Sequence, residues 1–334
     1  MKASEGGPTM KAVVYRSYGP PDVLHCEDVD KPSPKDDEVL IRVRAAAANP
    51  MDVHFMSGVL IMRPMTGLLK PKMTRPGADL AGEVEAVGKN VTRFQPGDAV
   101  FGAARGAFAE YVCASENRLA VKPANLTFEQ AAAIPVAAST ALQGLRDRAR
   151  LQPGQRVLIN GAAGGVGTFA VQIAKAFGAD VTAVCSTKSV DLVQSIGADH
   201  VVDYTRDDVT RGTVQYDVIL DTAGSHPLSA WRRVLTPTAT FLAIGAKPGG
   251  RWIGLLPQLL TLFISSKFVS QNVVFFVARV GTNDLNVLKD LIEANKVTPI
   301  VDKCYTLGEA AAAVRHLKEG HPRGKVVLTV SGRA

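Results

Sequence analysis

The sequence predicts an α/β protein that joins a doubly wound parallel sheet to a second module of short strands, and three observations lead to this prediction. Residues 157–186 read as a strand, a glycine-rich turn, a helix and a second strand, which together form a βαβ unit. After this unit, strand-like and helix-like patterns continue to alternate. Before it, short strands are separated by Gly and Pro turns, which is typical of a β-barrel-like module.

The composition is that of an ordinary globular chain, and it excludes several classes of protein. The chain has 334 residues, enough for about two domains, and 46% of them are hydrophobic. The net charge of +7 is spread along the chain without a block of Lys or Arg, which argues against a nucleic-acid site. The longest apolar stretch, 252–263, is interrupted by Pro257 and is too short for an integral membrane segment.

The four cysteines, Cys26, Cys113, Cys185 and Cys304, lie far apart in the chain and form no C-x-x-C motif. This spacing argues against a disulfide scaffold and against a structural zinc lobe. Isolated cysteines suit a reducing compartment, and residues 1–9 lack the apolar core of a signal peptide. We therefore expect a cytoplasmic protein.

The first module is read from strand patterns and turn residues. Residues 57–76 are rich in Gly, Pro, Met and Lys and are predicted to form a long loop, and residues 102–108 a short hairpin link. Strands are predicted at 11–15, 39–47, 82–87, 100–101 and 108–112.

A helical region follows the first module. Thr127 to Gln130 resembles a capping box, because Gln130 lies three residues after the Thr. An Ala-rich helix is predicted from there to Arg148, with a break near Pro135.

The glycine-rich turn of the βαβ unit stands where a dinucleotide would bind. Ala162, Gly164 and Gly167 fall on the three glycine positions of G-x-G-x-x-G, between the strand 157–159 and an amphipathic helix. Gly164 lets the backbone approach a pyrophosphate, and Gly167 lets the helix pack close to the strand. Backbone N–H groups at the helix N-terminus then meet the anion. A tight turn without a ligand is the alternative, and the flanking strand and helix argue against it.

The end of the second strand of the unit favours NADP(H) over NAD(H). An acidic residue at this point would bind the ribose 2′-hydroxyl of NAD, but the strand ends in Cys185-Ser186-Thr187-Lys188. A hydroxyl and a Lys would bind a 2′-phosphate, which a carboxylate would repel. Thr187 and Ser189 could instead, or in addition, cap the helix that follows.

The rest of the chain completes the sheet and returns to the first module. Helices are predicted at 188–196 and 228–235, and further strands at 200–203, 217–221, 239–244 and 273–277, which makes the six strands of a complete doubly wound nucleotide domain. After them come helices at 284–295 and 310–319 and a closing strand at 325–330, which we assign to the first module.

Several motifs, in order along the chain, show that it resembles the zinc-independent quinone oxidoreductase branch of the medium-chain dehydrogenase/reductase superfamily, related to zeta-crystallin. They are Tyr18-Gly19, Asn49-Pro50-Met51-Asp52, Gly77-Ala78-Asp79, Gln95-Pro96-Gly97-Asp98, residues 162–167 and Arg323-Gly324-Lys325. The resemblance implies a Rossmann NADP(H)-binding domain, 135–278, inserted in a GroES-like β-barrel catalytic domain, 1–134 plus 279–334.

The resemblance also predicts the chemistry. The positions at which the zinc enzymes of the superfamily carry Cys and His here hold Asn49 (or its neighbour Ala48) and Gly77-Ala78-Asp79, and a catalytic zinc needs three protein ligands. Without this Lewis acid, we expect NADPH-dependent hydride transfer to a quinone or an α,β-unsaturated carbonyl, because these acceptors stabilise negative charge by conjugation. The alternative is a non-catalytic NADPH-binding protein that reports redox state to a partner, which the lack of an obvious proton donor favours.

The resemblance assigns individual site residues. As catalytic candidates it gives Asn49, Tyr18 and Thr140, although Asn49 could be a turn residue and Tyr18 a packed one. Thr140 is also a cofactor contact, together with Ala163, Gly164, Gly165 and Val166 at the pyrophosphate, Ser186, Lys188 and Tyr204 at the 2′-phosphate, and Ala223, Gly245, Phe275, Phe276 and Lys325 elsewhere on the cofactor. Phe275 and Phe276 could alternatively lie at the edge of a homodimer. Residues 252–268 are expected to line the substrate slot or a dimer contact, or else to touch a membrane surface.

Overall fold

The computed structural model describes residues 7–59, 63–244, 271–319 and 321–330. Its strands are β1 (Thr9–Val14), β2 (His25–Asp30), β3 (Glu38–Ala47), β4 (Asp79–Val87), β5 (Ala99–Ala103), β6 (Tyr111–Ser115), β7 (Leu119–Val121), β8 (Arg156–Asn160), β9 (Asp180–Cys185), β10 (His200–Asp203), β11 (Tyr216–Asp221), β12 (Leu235–Ala243), β13 (Asn272–Phe275), β14 (Val301–Thr306) and β15 (Lys325–Thr329). Its α-helices are α1 (Pro50–Ser57), α2 (Arg63–Thr66), α3 (Phe128–Ala132), α4 (Pro135–Leu142), α5 (Gly165–Ala176), α6 (Val190–Ser195), α7 (Leu228–Trp231), α8 (Thr282–Glu293) and α9 (Ala310–Glu319).

The predicted doubly wound sheet is confirmed. Six strands lie in the order β10-β9-β8-β11-β12-β13, and all of the pairings are parallel. The strand order reverses between β8 and β11, so the carboxyl ends of these two strands mark the crevice where such sheets bind ligands. The glycine-rich turn follows β8 and therefore lies at this crevice.

The first module forms a second sheet that both ends of the chain build. Its strands lie in the order β14-β15-β3-β4-β5-β7, and β6 also pairs with β3. The antiparallel pairing of β15 with β3 confirms that the closing strand belongs to this module. Because β14 and β15 join a sheet begun near residue 38, we keep the domain division of 1–134 plus 279–334 against 135–278 as a proposal.

Three local predictions were wrong. Residues 63–66 form helix α2, although 57–76 was expected to be loop from its composition, and helix α1 at 50–57 was not predicted. Residues 102–108 are not a hairpin link, because β5 pairs with β4 and β7 while β6 pairs with β3. Strand β14 was not expected, since its alternation of buried and exposed positions is weak.

Other local predictions were correct. Thr127 and Gln130 form the capping box at the start of α3, and the break at Pro135 separates α3 from α4. Apart from these predictions, the chain leaves α5 through Gly178, whose φ of 80° is the left-handed conformation that glycine adopts without strain. No helix among the described residues is long and apolar enough to cross a membrane.

Helix α4 brings the two sheets together. Its small residues Ala137, Ala138 and Ala141 are buried in one hydrophobic core with residues of β8 and α5. Ala81 of β4 and Phe101 of β5 belong to the same core. The cofactor turn and the seven-stranded sheet are therefore both held against helix α4, which fixes their positions relative to each other.

Candidate functional site

The glycine-rich turn has the geometry of an anion-binding helix start. Gly164 is the N-cap residue of α5 and offers no side chain to the first-turn N–H groups. These N–H groups have no intrahelical partner, so they are available to a pyrophosphate, together with the positive end of the helix dipole. A Cβ atom on Gly167 would lie 2.2 Å from the carbonyl oxygen of Gly161, so α5 approaches the turn as closely as a glycine permits. The turn fits the dinucleotide that its motif predicts.

Gly161 is the residue that makes the tight turn, one position earlier than the sequence motif placed it. Its φ of 80° is left-handed, and a Cβ atom there would lie 2.4 Å from Thr222 Oγ1. Ala162, assigned to this role from the motif, is fully buried and donates its N–H to the carbonyl of Val184. The glycine directly before Ala162 was the signal that could have located the turn.

The carboxyl end of β11 is organised by Asp221, which the sequence did not single out. Asp221 Oδ1 accepts hydrogen bonds from the N–H groups of Ala223 and Gly224 and from Asn160 Nδ2, at 3.0, 2.8 and 2.8 Å. Burial raises the pKa of Asp221, and these donors oppose the rise. Ala223 thus lies beside the Gly161 turn, as expected for a cofactor contact. Gly245 lies outside the described residues.

The predicted 2′-phosphate residues come together at the ends of β9 and β10. The N–H of Tyr204 donates to the carbonyl of Cys185, which brings Tyr204 next to Ser186. Tyr204 is 58% exposed, and Lys188 has no ion-pair partner among the described residues. Ser186 and Tyr204 are therefore neighbours, and Lys188 follows Ser186 by two residues; a hydroxyl, an ammonium and a phenol are donors that suit a phosphate.

Asp203 is a carboxylate near this site that the sequence analysis overlooked. It accepts hydrogen bonds from Thr187 Oγ1 and Thr205 Oγ1, and Arg206 Nε lies 3.5 Å from its Oδ2. The hydrogen bond from Thr187 is the main reason that the pKa of Asp203 is lowered. The alternative that Thr187 and Ser189 cap the next helix is wrong, since neither hydroxyl makes a cap hydrogen bond.

Asn49 belongs to a second group of site residues, away from the glycine-rich turn, and both N–H groups and the oxygen of its side chain form hydrogen bonds. Its Nδ2 donates to Asp79 Oδ2 at 3.0 Å and to the carbonyl of Ala47 at 3.4 Å. Its Oδ1 accepts from Lys325 Nζ at 2.7 Å. Asn49 is nearly buried and is held by β3, β4 and β15 at once. A hydrogen bond from Asn49 to a substrate carbonyl therefore requires one of these two amide contacts to open.

Asp52 holds the backbone around Asn49. Its carboxylate accepts from the N–H of Asn49 at 2.9 Å and from the N–H of Gly77 at 3.1 Å, so it links the start of α1 to the chain before β4. Burial raises its pKa from 3.8 to about 6, although both N–H donors oppose the rise. The folded protein thus favours the protonated form of Asp52 more than the unfolded chain does.

This raised pKa predicts a pH dependence of stability. Because the folded pKa of Asp52 exceeds the unfolded one, its stabilising contribution is complete below about pH 4 and is lost as the pH rises through about 6. Relative to Asp52→Asn, the wild type should lose about 1 kcal/mol of unfolding free energy between about pH 5 and pH 8. Urea unfolding at the two pH values measures this difference, and a constant difference between the two proteins would contradict the assignment.

Asp79 and Lys325 form a buried ion pair beside Asn49. Asp79 is 0% exposed and Lys325 4%, and Lys325 Nζ lies 3.2 Å from Asp79 Oδ2. The other oxygen, Asp79 Oδ1, accepts from the N–H of Val136 at the start of α4. Burial raises the pKa of Asp79, and the charge of Lys325 is the largest opposing effect. In the sequence alone, Asp79 stands out only as an insufficient zinc ligand.

Lys325 connects this ion pair to the cofactor turn. Gly324 forms a parallel β-bridge with Gly164, the N-cap residue of α5. A Cβ atom on Gly165 would lie 2.9 Å from Lys325 Cδ, so the stem of the Lys covers Gly165. The amino group points away from the turn, toward Asn49 and Asp79. The two predicted groups of site residues, around Asn49 and around Gly164, therefore meet at Lys325.

Three other predicted site residues are Thr140, Phe275 and Phe276. Thr140 is buried in α4, one turn after Val136, and its hydroxyl donates to the carbonyl of Val136 at 2.7 Å. Its oxygen can still accept a hydrogen bond. Phe275 ends β13 and is 46% exposed, while the ring of Phe276 packs under the Arg148 guanidinium.

Tyr18 contacts a different part of the chain. Its hydroxyl donates to the carbonyl of Gly67 at 2.7 Å and also lies 3.0 Å from Thr66 Oγ1, and the Arg63 guanidinium stacks on its ring. A donor role toward a substrate would require the bond to Gly67 to break. The contacts seen are those of a packed Tyr that holds α2 and the loop after it.

The described residues contain no group of three or more His, Cys, Asp or Glu side chains that could hold a metal ion. The place of such a group is taken by an amide, a carboxylate and an ammonium. This set carries a balanced charge and contains a single carboxylate, which is fewer than the three protein ligands that a catalytic zinc needs.

Known proteins are similar to this chain in sequence and in fold. A family model described as alcohol dehydrogenase GroES-like domain matches residues 35–124, and one described as zinc-binding dehydrogenase matches residues 196–328. The chain is 33% identical to the chloroplastic quinone-oxidoreductase homolog of Spinacia oleracea, over 96% of this chain and 98% of that protein. It is 34% identical to the chloroplastic NADPH-dependent alkenal/one oxidoreductase of Arabidopsis thaliana, over 96% and 79%. The quinone oxidoreductase structure from Coxiella burnetii superposes with a TM-score of 0.85 at 28% identity, over 97% of this chain and 100% of that one.

Proposed function

The chain belongs to the zinc-independent quinone oxidoreductase branch of the medium-chain dehydrogenase/reductase superfamily, and from this premise we propose that it is an NADPH-dependent reductase of quinones or α,β-unsaturated carbonyls. One observation carries the proposal. The dinucleotide turn at Gly164 is bridged to Gly324, directly before the buried group of Asn49, Asp79 and Lys325. A cofactor on the turn would thus lie next to this buried polar group, which also contacts the start of α4 through Asp79.

The residues of the chain divide the work of binding. The α5 N-terminus binds the pyrophosphate through backbone N–H groups, and Ser186, Lys188 and Tyr204 bind the 2′-phosphate. Thr140 offers an acceptor oxygen to an amide group, because its proton is already donated to Val136. Bound NADPH supplies the hydride.

The acceptor class follows from what the chain provides beside the cofactor. The buried Lys325 ammonium and the Asn49 amide create a fixed local field, but neither is a Lewis acid that could generate an alkoxide from a simple alcohol. Quinones and enones delocalise the incoming charge themselves, so a fixed field and orientation are sufficient. The names of the spinach and Arabidopsis relatives, which refer to quinones and to alkenals or alkenones, support these two classes.

The assay with purified protein is direct. We expect NADPH oxidation with at least one quinone or enone, a slower reaction with NADH, and no effect of a metal chelator. If NADPH raises the melting temperature but no acceptor oxidises it, the protein is instead a non-catalytic NADPH sensor. A rate that a chelator abolishes and zinc restores would contradict the proposed chemistry.

We further propose a cytoplasmic homodimer. The four cysteines are free thiols, which supports a reducing compartment. Among the described strands β13 lies at one edge of its sheet; Phe275 at its end is 46% exposed, and Val277 two residues later is 68% exposed. An open strand edge with exposed apolar side chains is a site of association. Cell fractionation and sedimentation of the purified protein test these two proposals; a monomer at every concentration would refute the second.

A further inference from the structure

We propose that Lys325 is a positioning residue, which together with Asp79 fixes the Asn49 carboxamide in the reductase site and does not bind the cofactor phosphate. The inference deepens the proposed function and rests on it for its rate measurement. It also revises the expectation, taken from the family resemblance, that Lys325 contacts the cofactor.

The hydrogen bonds of the Lys325 ammonium carry the first step. Its Nζ lies 2.7 Å from Asn49 Oδ1, 3.2 Å from Asp79 Oδ2 and 3.2 Å from the carbonyl oxygen of Ala48. A Lys ammonium has three N–H donors, and these three oxygens use all of them. To reach a phosphate at the turn, the ammonium would have to abandon a buried carboxylate, which would leave that charge uncompensated.

The second step concerns Asn49, whose orientation is defined by opposite neighbours. Its oxygen faces the cation of Lys325, and its nitrogen faces the anion of Asp79. A carboxamide flip would place like partial charges together on both sides, so the pair allows one orientation only. Without Lys325 the oxygen of Asn49 loses the donor that selects this orientation.

The third step is the position of the pair in the fold. Asp79 also accepts from the N–H of Val136, and Lys325 covers Gly165 with its stem. The pair therefore joins the loop before α1, the start of β4, the start of α4 and the cofactor turn. A well-packed apolar pair could stabilise the fold as well as a buried ion pair does, so stability alone does not account for these charges. The position of the two charges between the cofactor turn and Asn49 does account for them.

The test compares three variants: Lys325→Met, Asp79→Asn and the double variant. Lys325→Met keeps the apolar stem over Gly165 but removes the charge. We expect it to lower kcat with a quinone or enone about 100-fold, because a misplaced Asn49 carboxamide would lower the rate by about this factor. The NADPH dissociation constant should stay near that of the wild type. Asp79→Asn should lower kcat in the same way.

The double variant separates positioning from a merely structural role. Lys325→Met alone leaves Asp79 charged and buried, so it should lower the melting temperature, and the added Asp79→Asn should restore much of that loss. The proposal expects kcat to stay low in the double variant, because neither charge then orients the Asn49 carboxamide. Recovery of kcat together with stability would overturn it.

Two further outcomes are decisive. An NADPH dissociation constant that rises about tenfold or more in Lys325→Met would place the ammonium on the cofactor and overturn the proposal. If the wild type reduces no acceptor, the proposed function fails, and the NADPH affinity and melting temperatures of the same variants still decide where Lys325 acts. Lys175→Met is the matched control, since Lys175 pairs with Asp199 on a half-exposed surface, and it should change neither kcat nor affinity.

Discussion

Replacing Gly164 by Ala is expected to weaken NADPH binding about 100-fold while the protein without cofactor stays folded. The backbone at Gly164, with φ −79° and ψ 176°, is open to Ala, and the nearest neighbour of the new Cβ would be the Gly161 carbonyl oxygen at 3.4 Å. The methyl group therefore fits the fold but fills the space through which a pyrophosphate approaches the N-terminus of α5. Fluorescence titration with NADPH and a melting curve without cofactor measure the two effects.

Gly167→Ala is the informative contrast, because it should damage the fold itself. Its Cβ would lie 2.2 Å from the Gly161 carbonyl oxygen and 2.7 Å from the Ala162 backbone, so α5 must move away from the turn. Such overpacking costs about 3 kcal/mol of unfolding free energy, which exceeds the gain of about 1 kcal/mol from Ala in a helix. If Gly164→Ala instead unfolds the protein, or binds NADPH as the wild type does, the turn is not the pyrophosphate site.

Lys188→Ala is expected to weaken NADPH binding about 30-fold and to leave NADH binding unchanged. Lys188 has no ion-pair partner among the described residues, so its full charge is available to the 2′-phosphate, the group that NADH lacks. Titration with both cofactors gives the ratio of dissociation constants. An equal loss for the two cofactors would refute the phosphate role.

Arg206 provides a matched control for Lys188. It is an exposed cation at the same end of β10, but its guanidinium already lies beside Asp203. Arg206→Met should therefore change the preference for NADPH less than Lys188→Ala does. The opposite order would identify Arg206 as the phosphate ligand and Asp203 as the group that holds it.

One missed element has local signals, and a second feature depends on tertiary context. Helix α1 has no clear apolar stripe, but Pro50 is its first residue, Asp52 accepts from the N–H of Asn49 at its start, and Gly58 ends it in the left-handed conformation. The sequence could not assign a partner to the Tyr18 hydroxyl. In the fold this hydroxyl donates a hydrogen bond to the carbonyl of Gly67, 49 residues away. The partner of Tyr18 is one that no local pattern reveals.

The sequence by itself determined the cofactor half of the protein. The strand, turn and helix around Gly164 are contiguous, their periodicity can be read directly, and the residues after β9 lie at a fixed distance from the turn. Only the tertiary structure decided the arrangement of the buried polar group beside the cofactor turn. Asn49, Asp79 and Lys325 are separated by up to 276 residues, and their hydrogen bonds form because β3 ends where β4 and β15 begin. Which oxygen a buried ammonium selects is set by packing, and a linear pattern carries no record of that choice.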